Sequence, residues 1–270
     1  MILVNGQQWG CVSALDRGLA YGDGVFRTLL LRGGRVVQWP RQYARLASDC
    51  SRLGLRCPAE RLLFDEIGEL ARIGPDAAIK LIVTRGESAR GYAPPAVECP
   101  TRIVQRSPLP EYPAVWCEEG VRVHVCALRL AGQPRLAGIK HLNRLEQVLA
   151  RSEWNDPEIA EGLLFDMQDR LVSGTMSNVF LWRDGELATP LLDHCGVSGV
   201  TRSRVMAHAR ACGWTVREAQ LTLGDLLSAD EVMLTNSLFG LWTVREMAHR
   251  RWMPGPVAWR LRTLLDEEDG

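Results

Sequence analysis

The sequence predicts an α/β (α+β) chain of two lobes. Three observations carry this. Segments with strand and helix periodicity are mixed along the 270 residues, with no strict βαβ repeat. A hairpin stands early, over residues 25–37, around the turn Arg32-Gly33-Gly34-Arg35. Six of the fourteen prolines fall between Pro94 and Pro113, the composition of turns and a domain connection. The expected division is residues 1–110 as a smaller N-terminal domain, 111–120 as the connection and 121–270 as a larger C-terminal domain.

The elements follow in order. Residues 41–53 form a helix, because Tyr43, Leu46, Ala47, Cys50 and Leu53 recur at helical spacing and Gly54 ends the run. Residues 61–73 form a second, closed by Gly74-Pro75. Residues 77–84 are a mostly apolar strand and 102–105 another. Residues 121–130 alternate as a strand. A helix over 145–154 stops at Asn155-Asp156-Pro157. Short strands occupy 162–166, 178–182 and 186–188. A helix over 201–212 ends at Gly213. Strands at 214–219 and 231–235 flank a short helix, and 256–265 is the terminal helix.

Composition excludes several classes. Apolar residues at 46% and charged residues at 24% are those of an ordinary globular protein. The formal net charge is zero, and no basic stripe appears, which argues against a nucleic-acid partner. Met1 to Gly6 carries no charged region followed by a long apolar stretch, and no segment approaches the ~18 apolar residues of a membrane span. A cytoplasmic protein is expected. Its eight cysteines are then expected as thiols. No CxxC pair or clustered Cys/His spacing points to a metal.

Of 32 basic residues only two are lysine, Lys80 and Lys140. Arginine does not deprotonate in proteins, so any lysine chemistry has two candidates. Lys80 lies in an apolar strand and reads as a solvent-facing or edge-protecting charge. Lys140 lies in Leu136-Ala137-Gly138-Ile139-Lys140-His141-Leu142-Asn143-Arg144, between an apolar approach and a helix. Spacing alone leaves it an ordinary surface lysine. A loop ahead of a helix also suits a reactive amine, which partial burial or a nearby cation would make nucleophilic.

Cys195-Gly196-Val197-Ser198-Gly199-Val200-Thr201-Arg202 is a glycine-containing loop opening into a helix. The N–H groups of Val200 and Thr201 and the helix dipole could cradle a phosphate, with the Thr201 hydroxyl beside them. A plain turn and N-cap is the simpler reading. Thr235-Asn236-Ser237 ends a strand with three small polar residues and could bind an anion or start a loop. Arg45 in isolation reads as a solvated helix-face charge.

Four stretches together resemble the aminodeoxychorismate lyases, within the fold-type IV enzymes that use pyridoxal 5'-phosphate (PLP). They are the lysine segment from Leu136 to Leu149, Asp16-Arg17-Gly18-Leu19-Ala20-Tyr21-Gly22-Asp23-Gly24-Val25-Phe26, Thr84-Arg85-Gly86 with Arg90-Gly91-Tyr92, and Gly196 to Arg202. They keep order and spacing over nearly the whole chain. The resemblance implies a two-domain fold with PLP between the domains, a homodimer, and elimination of pyruvate from 4-amino-4-deoxychorismate to give 4-aminobenzoate. It implies that Lys140, in the C-terminal domain, holds the cofactor and shuttles protons. Arg45 would bind its phosphate, together with Gly199, Val200, Thr201, and Asn236 or Ser237. Tyr92 would lie near an active site, its own or the partner subunit's.

The chain departs from the family pattern twice. Relatives carry a glutamate that bonds the cofactor's pyridine nitrogen, and Ser173 stands at that position. Serine has no charge to keep a proton on the ring. Arg27 stands where some relatives have an acidic or small residue. Turned inward it could meet a substrate carboxylate, and otherwise it is a strand residue facing solvent. Two other readings stay open: an aminotransferase for D- or branched-chain amino acids, and a cofactor-binding protein with reduced catalysis.

Overall fold

The computed structural model of the protein describes residues 1–269. Its contacts part the chain into two units. Met1–Pro110 and Ile139–Asn143 form the first, and Glu111–Gly138 with Arg144 onward form the second. No helix among the described residues is long and apolar enough to cross a membrane.

In the first unit β1 (Ile2–Val4), β2 (Gln7–Gln8), β3 (Gly24–Arg32), β4 (Arg35–Val36), β5 (Ala77–Thr84) and β6 (Arg102–Ser107) join one sheet in the order β2-β1-β6-β5-β3-β4. Helices α1 (Arg17–Tyr21), α2 (Trp39–Arg52) and α3 (Glu60–Ala71) complete it. Alternate side chains of a strand share a face. Val25, Leu29 and Leu31 of β3 thus join a core with Leu46 and Cys50 of α2 and Leu63, Ile67 and Leu70 of α3. Arg27 falls on that same face. The expected apolar stripe of α2 is accordingly interrupted: Gln42 and Asp49 are buried beside Leu46 and Cys50. β5 lies between β6 and β3, so Lys80 guards no sheet edge.

Ile139–Asn143, with Lys140, groups with this first unit, while the rest of the lysine segment stays in the second, where the sequence placed all of it. Backbone pairing is the reason. Phe26 N–H donates to the Lys140 carbonyl at 2.9 Å, and Leu142 N–H to that of Gly24 at 3.0 Å. Ile139 enters the first unit's core.

In the second unit the segment 111–120 is not a bare connection. It folds α4 (Ala114–Glu118), whose Trp116 meets the ring of buried Trp242 at 5.3 Å. The remaining elements are β7 (Val121–Leu130), α5 (Leu145–Arg151), β8 (Ile159–Asp166), β9 (Arg170–Gly174), β10 (Asn178–Arg183), β11 (Glu186–Pro190), α6 (Val200–Ala211), β12 (Thr215–Ala219), β13 (Leu221–Thr222), α7 (Leu223–Ser228), β14 (Glu231–Asn236), β15 (Gly240–Met247), β16 (Arg250–Arg251) and α8 (Pro256–Asp269). The sheet runs β12-β11-β10-β14-β15-β7-β8-β9-β13, with β16 on β15. α6 and α8 cover one face, where Val205, Ala209, Leu261 and Leu265 pack on Phe180, Met233 and Leu241. Strands β9 and β15 were not expected. β9 is short, and β15 holds an unbroken buried run, Leu241–Val244, that lacks alternation.

Candidate active site

The amine of Lys140 lies 4.6 Å from the centroid of the Phe26 ring, within cation–π range. Lys80 shares that ring, its Nζ 5.3 Å from the centroid. The two lysines of the sequence therefore stand on one face of the first sheet. This follows from register, since Thr28 pairs with Lys80 and Phe26 with Ile82. The Lys140 backbone is held from the other side: its N–H donates to Asp49 Oδ2 at 3.3 Å.

Arg27 does not reach for a substrate. Its side chain is 4% exposed and its Nη1 and Nη2 lie 3.4 Å from Asp49 Oδ2 and Gln42 Oε1. The strand's alternation aims it under α2. Burial pulls its guanidinium down to about 10, against the attraction of Asp49 and with the repulsion of Arg45. Burial pushes the Asp49 carboxyl up, and Arg27 and the Lys140 amide oppose that. Arg27 Nε and Asp49 Oδ1 are buried without hydrogen-bond partners. Arg45 lies half-buried on α2, one turn from Asp49, and its charge is felt by both groups.

Two arginines order the loop that carries Tyr92. Arg17 donates to the carbonyls of Gly91, Tyr92 and Ala93 and pairs with Asp23 at 2.8 Å. Arg85 pairs with Asp23 and Glu98. Burial alone would raise the Asp23 carboxyl, but hydrogen bonds and charge from Arg85 and Arg17 hold it below its ordinary value. Tyr92 itself is 84% exposed, its ring 5.3 Å from that of Tyr21.

The second unit carries the glycine loop. Asn178 donates to the Val197 carbonyl at 2.8 Å and accepts from Gly199 N–H at 3.2 Å. A Cβ on Gly199 would meet Asn178 Oδ1 at 2.3 Å, so this close approach requires glycine. Gly199 caps α6 and no side chain closes the cap. The first helical N–H groups, at Val200 and Thr201, are therefore presented at the positive end of the dipole, the arrangement that receives a phosphate. Arg202 is drawn off to Thr189, Pro190 and Glu218. Opposite Asn178 in the ladder stands Thr235, whose buried Oγ1 has no hydrogen-bond partner. An uncapped helix start and an orphaned buried hydroxyl fit the phosphate of PLP. Asn236 is otherwise engaged: its Oδ1 accepts from Leu238 and Phe239 N–H, closing the turn on which half-buried Ser237 sits.

Ser173 is buried in β9, opposite Leu164. The buried carboxylate of this region is Glu161, which the sequence reading did not select. It accepts from Gly162 N, Thr175 N, Thr175 Oγ1, Met176 N and Ser177 Oγ, at 2.5–3.1 Å. Burial pushes its carboxyl up against the pull of these donors. It clamps the turn between Ser173 and Asn178. Two signals missed in the sequence were a charge inside a buried strand, Glu161, and a charge on the apolar face of α2, Asp49.

Comparison with known proteins fits this geometry. The model of the amino-transferase class IV family matches residues 24–247. An aminodeoxychorismate lyase from Vibrio harveyi is 37% identical over 241 residues, 89% of each chain. The crystal structure of a 4-amino-4-deoxychorismate lyase from Pseudomonas aeruginosa superposes with a TM-score of 0.94 at 44% identity, covering 99% of this chain and 98% of that one. A putative branched-chain-amino-acid aminotransferase from Methanocaldococcus jannaschii is 33% identical, covering 88% of this chain and 83% of its own. The chain belongs to the amino-transferase class IV family.

Proposed function

We propose that the protein is a PLP-dependent 4-amino-4-deoxychorismate lyase, which releases pyruvate and forms 4-aminobenzoate for folate synthesis. The observation that carries this is the 44% identity to the Pseudomonas lyase over 99% of the chain. PLP, when bound, supplies the electron sink that stabilises the carbanion.

In the proposed site Lys140 Nζ would hold the cofactor and, when free, would take the proton from the substrate ring carbon that bears the nitrogen. Loss of that proton and of the enolpyruvyl group makes the ring aromatic, which drives the step. Asp49 positions Lys140 by its bond to the backbone N–H, so the amine swings from a fixed base. Val200 and Thr201 N–H, reached through Gly199, would hold the phosphate with Ser237, while Asn236 shapes the turn; Arg45 is assigned to the same phosphate by the resemblance alone. Ser173 would stand where the resemblance puts the acid beside the cofactor's ring nitrogen; carrying no charge, it would hold a proton there less well than a carboxylate, and turnover would be slower.

The protein is proposed to act in the cytoplasm as a homodimer. Leu19 on α1 and Tyr92, whose ring packs on Tyr21, are exposed apolar side chains that a second copy could cover. Light scattering behind size exclusion should give twice the chain mass, and Leu19→Asp should halve it.

The test is direct. Purified protein should show a visible cofactor band that borohydride abolishes, with the label on the peptide containing Lys140. It should restore growth of a 4-aminobenzoate auxotroph. The second reading, an aminotransferase, is favoured by the Methanocaldococcus relative. Efficient keto-acid formation from amino acids, with no 4-aminobenzoate from aminodeoxychorismate, would replace the lyase by it.

A further inference from the structure

We propose that His124, Cys126 and Glu153 form a binding site for a thiophilic divalent cation, zinc before others. The site is built wholly within the second unit and uses none of the residues assigned to the lyase reaction. His124 and Cys126 are two apart on β7, so their side chains leave the same face. Glu153 stands just past α5. One ligand atom of each lies within 4.8 Å of the others, and His124 Nε2 is 3.2 Å from Glu153 Oε2. An imidazole, a thiol and a carboxylate at that separation are the donors of a three-ligand zinc site with one position left for water. Sulfur among them selects zinc-like ions over magnesium or calcium.

The local fold holds the donors in place. The β7–β8 ladder slips between Val125 and Arg129. There the Ala127 and Leu128 N–H groups turn to Glu153, at 2.6 and 2.9 Å. Trp154 supports the imidazole, with ring centroids 5.5 Å apart. Gly162 leaves room for the thiol: a Cβ there would meet Cys126 Sγ and the Trp154 ring at 2.6 Å. A carboxylate that merely caps the bulge explains the Glu153 bonds. It does not explain why a buried thiol and an imidazole both lie with a ligand atom within 4.8 Å of that carboxylate.

The Arg129 guanidinium is directed elsewhere, to the Cys126 and Ala127 carbonyls and to Asp169. Binding exchanges one proton and no electrons. The Cys126 S–H bond breaks, a sulfur–metal bond forms and the proton goes to solvent. Because the thiol must lose its proton to bind, affinity should fall as the pH is lowered.

Chelator-treated holoprotein, titrated with Zn²⁺ by calorimetry, should take up one ion per chain and release a proton. X-ray absorption of the loaded protein should find one sulfur at about 2.3 Å among nitrogen and oxygen neighbours at about 2.0–2.1 Å. Cys126→Ser and His124→Asn should each weaken binding at least tenfold, and Cys126→Ser should remove the sulfur neighbour. Their thermal unfolding without metal checks that both are folded. Absence of stoichiometric uptake would overturn the site. So would uptake unchanged in both variants, or a shell with no sulfur or with several, which would point to the exposed Cys11, Cys99 and Cys117.

Discussion

Two buried carboxylates, one in each unit, are held in different ways. Glu161 accepts five hydrogen bonds, all at ordinary length. Asp49 has contacts of 3.3 and 3.4 Å from the Lys140 N–H and Arg27, and one oxygen without a partner. Glu161 is therefore held by geometry, and donors arranged around it fix the turn before Asn178. Asp49 is held by charge, through a buried cation beside it. The difference teaches where each unit is sensitive. A geometric clamp fails when an acceptor is lost. A charge pair fails when one partner is removed and the other is left alone in low dielectric.

The largest expected effect tests whether the Asp49 side serves chemistry at all. Lys140→Ala should lower lyase turnover by roughly 10²–10⁴-fold, the range for loss of a positioned base, and should abolish borohydride labelling. Retained labelling would move the function to Lys80. Next, Asp49→Asn should cost about 3–5 kcal/mol of stability by leaving Arg27 unpaired. Combining it with Arg27→Met should recover most of that loss, because the pair is then gone as a unit. Urea unfolding of the four proteins measures the coupling, and additive losses would show that charge pairing is not what holds Asp49.

Glu161→Gln should cost about 1–3 kcal/mol, since an amide turns donors toward donors. It should also weaken PLP binding through the Asn178–Gly199 contact, read by equilibrium dialysis. A loss of stability with unchanged cofactor affinity would separate the clamp from the phosphate loop. Ser173→Glu should raise turnover severalfold and shift the pH titration of the cofactor band. Unchanged or poorer activity would sink the idea that serine weakens the electron sink.

The smallest effect is a pH dependence. Asp23 has a folded pKa below its ordinary 3.8. Its stabilisation is present above 3.8 and is lost as pH falls through the folded value. Asp49 and Glu161, raised by burial, have the opposite sign: their ionised forms cost stability at neutral pH and the cost fades on acidification. Asp23→Asn should flatten the acid limb of thermal stability below pH 4. An acid limb unchanged in the variant would show that the Arg17–Asp23–Arg85 contacts contribute little.

Much of the candidate site was legible because it depends on short-range pattern. The glycine loop before α6 and the lysine before α5 stand out as segments, but spacing alone left both with a bland reading, and only the ordered motifs around them assigned a role. The expected helices at 41–53, 61–73 and 201–212 correspond to α2, α3 and α6, since stripes and glycine stops are local. Arg27 was misread for a physical reason. A strand's alternation says that it shares a face with Val25 and Leu29, but not that Asp49 and Gln42 would meet it there. Lys80 is exposed, as one of its two readings expected, but it protects no edge, because strand order in a sheet is not written in any one strand.

The sequence by itself determined the mixture of strands and helices, the lysine chemistry available and the membership of a family. These follow from local periodicity and from motifs kept in order. Only the tertiary structure decided that Ile139–Asn143 packs with the first unit, that Glu161 closes on Thr175 to Ser177, and that Glu153 meets His124 and Cys126. Each of these joins residues distant in sequence. Such contacts form only when backbone pairing and burial bring the segments together, and a buried polar group then takes whichever partner the fold supplies.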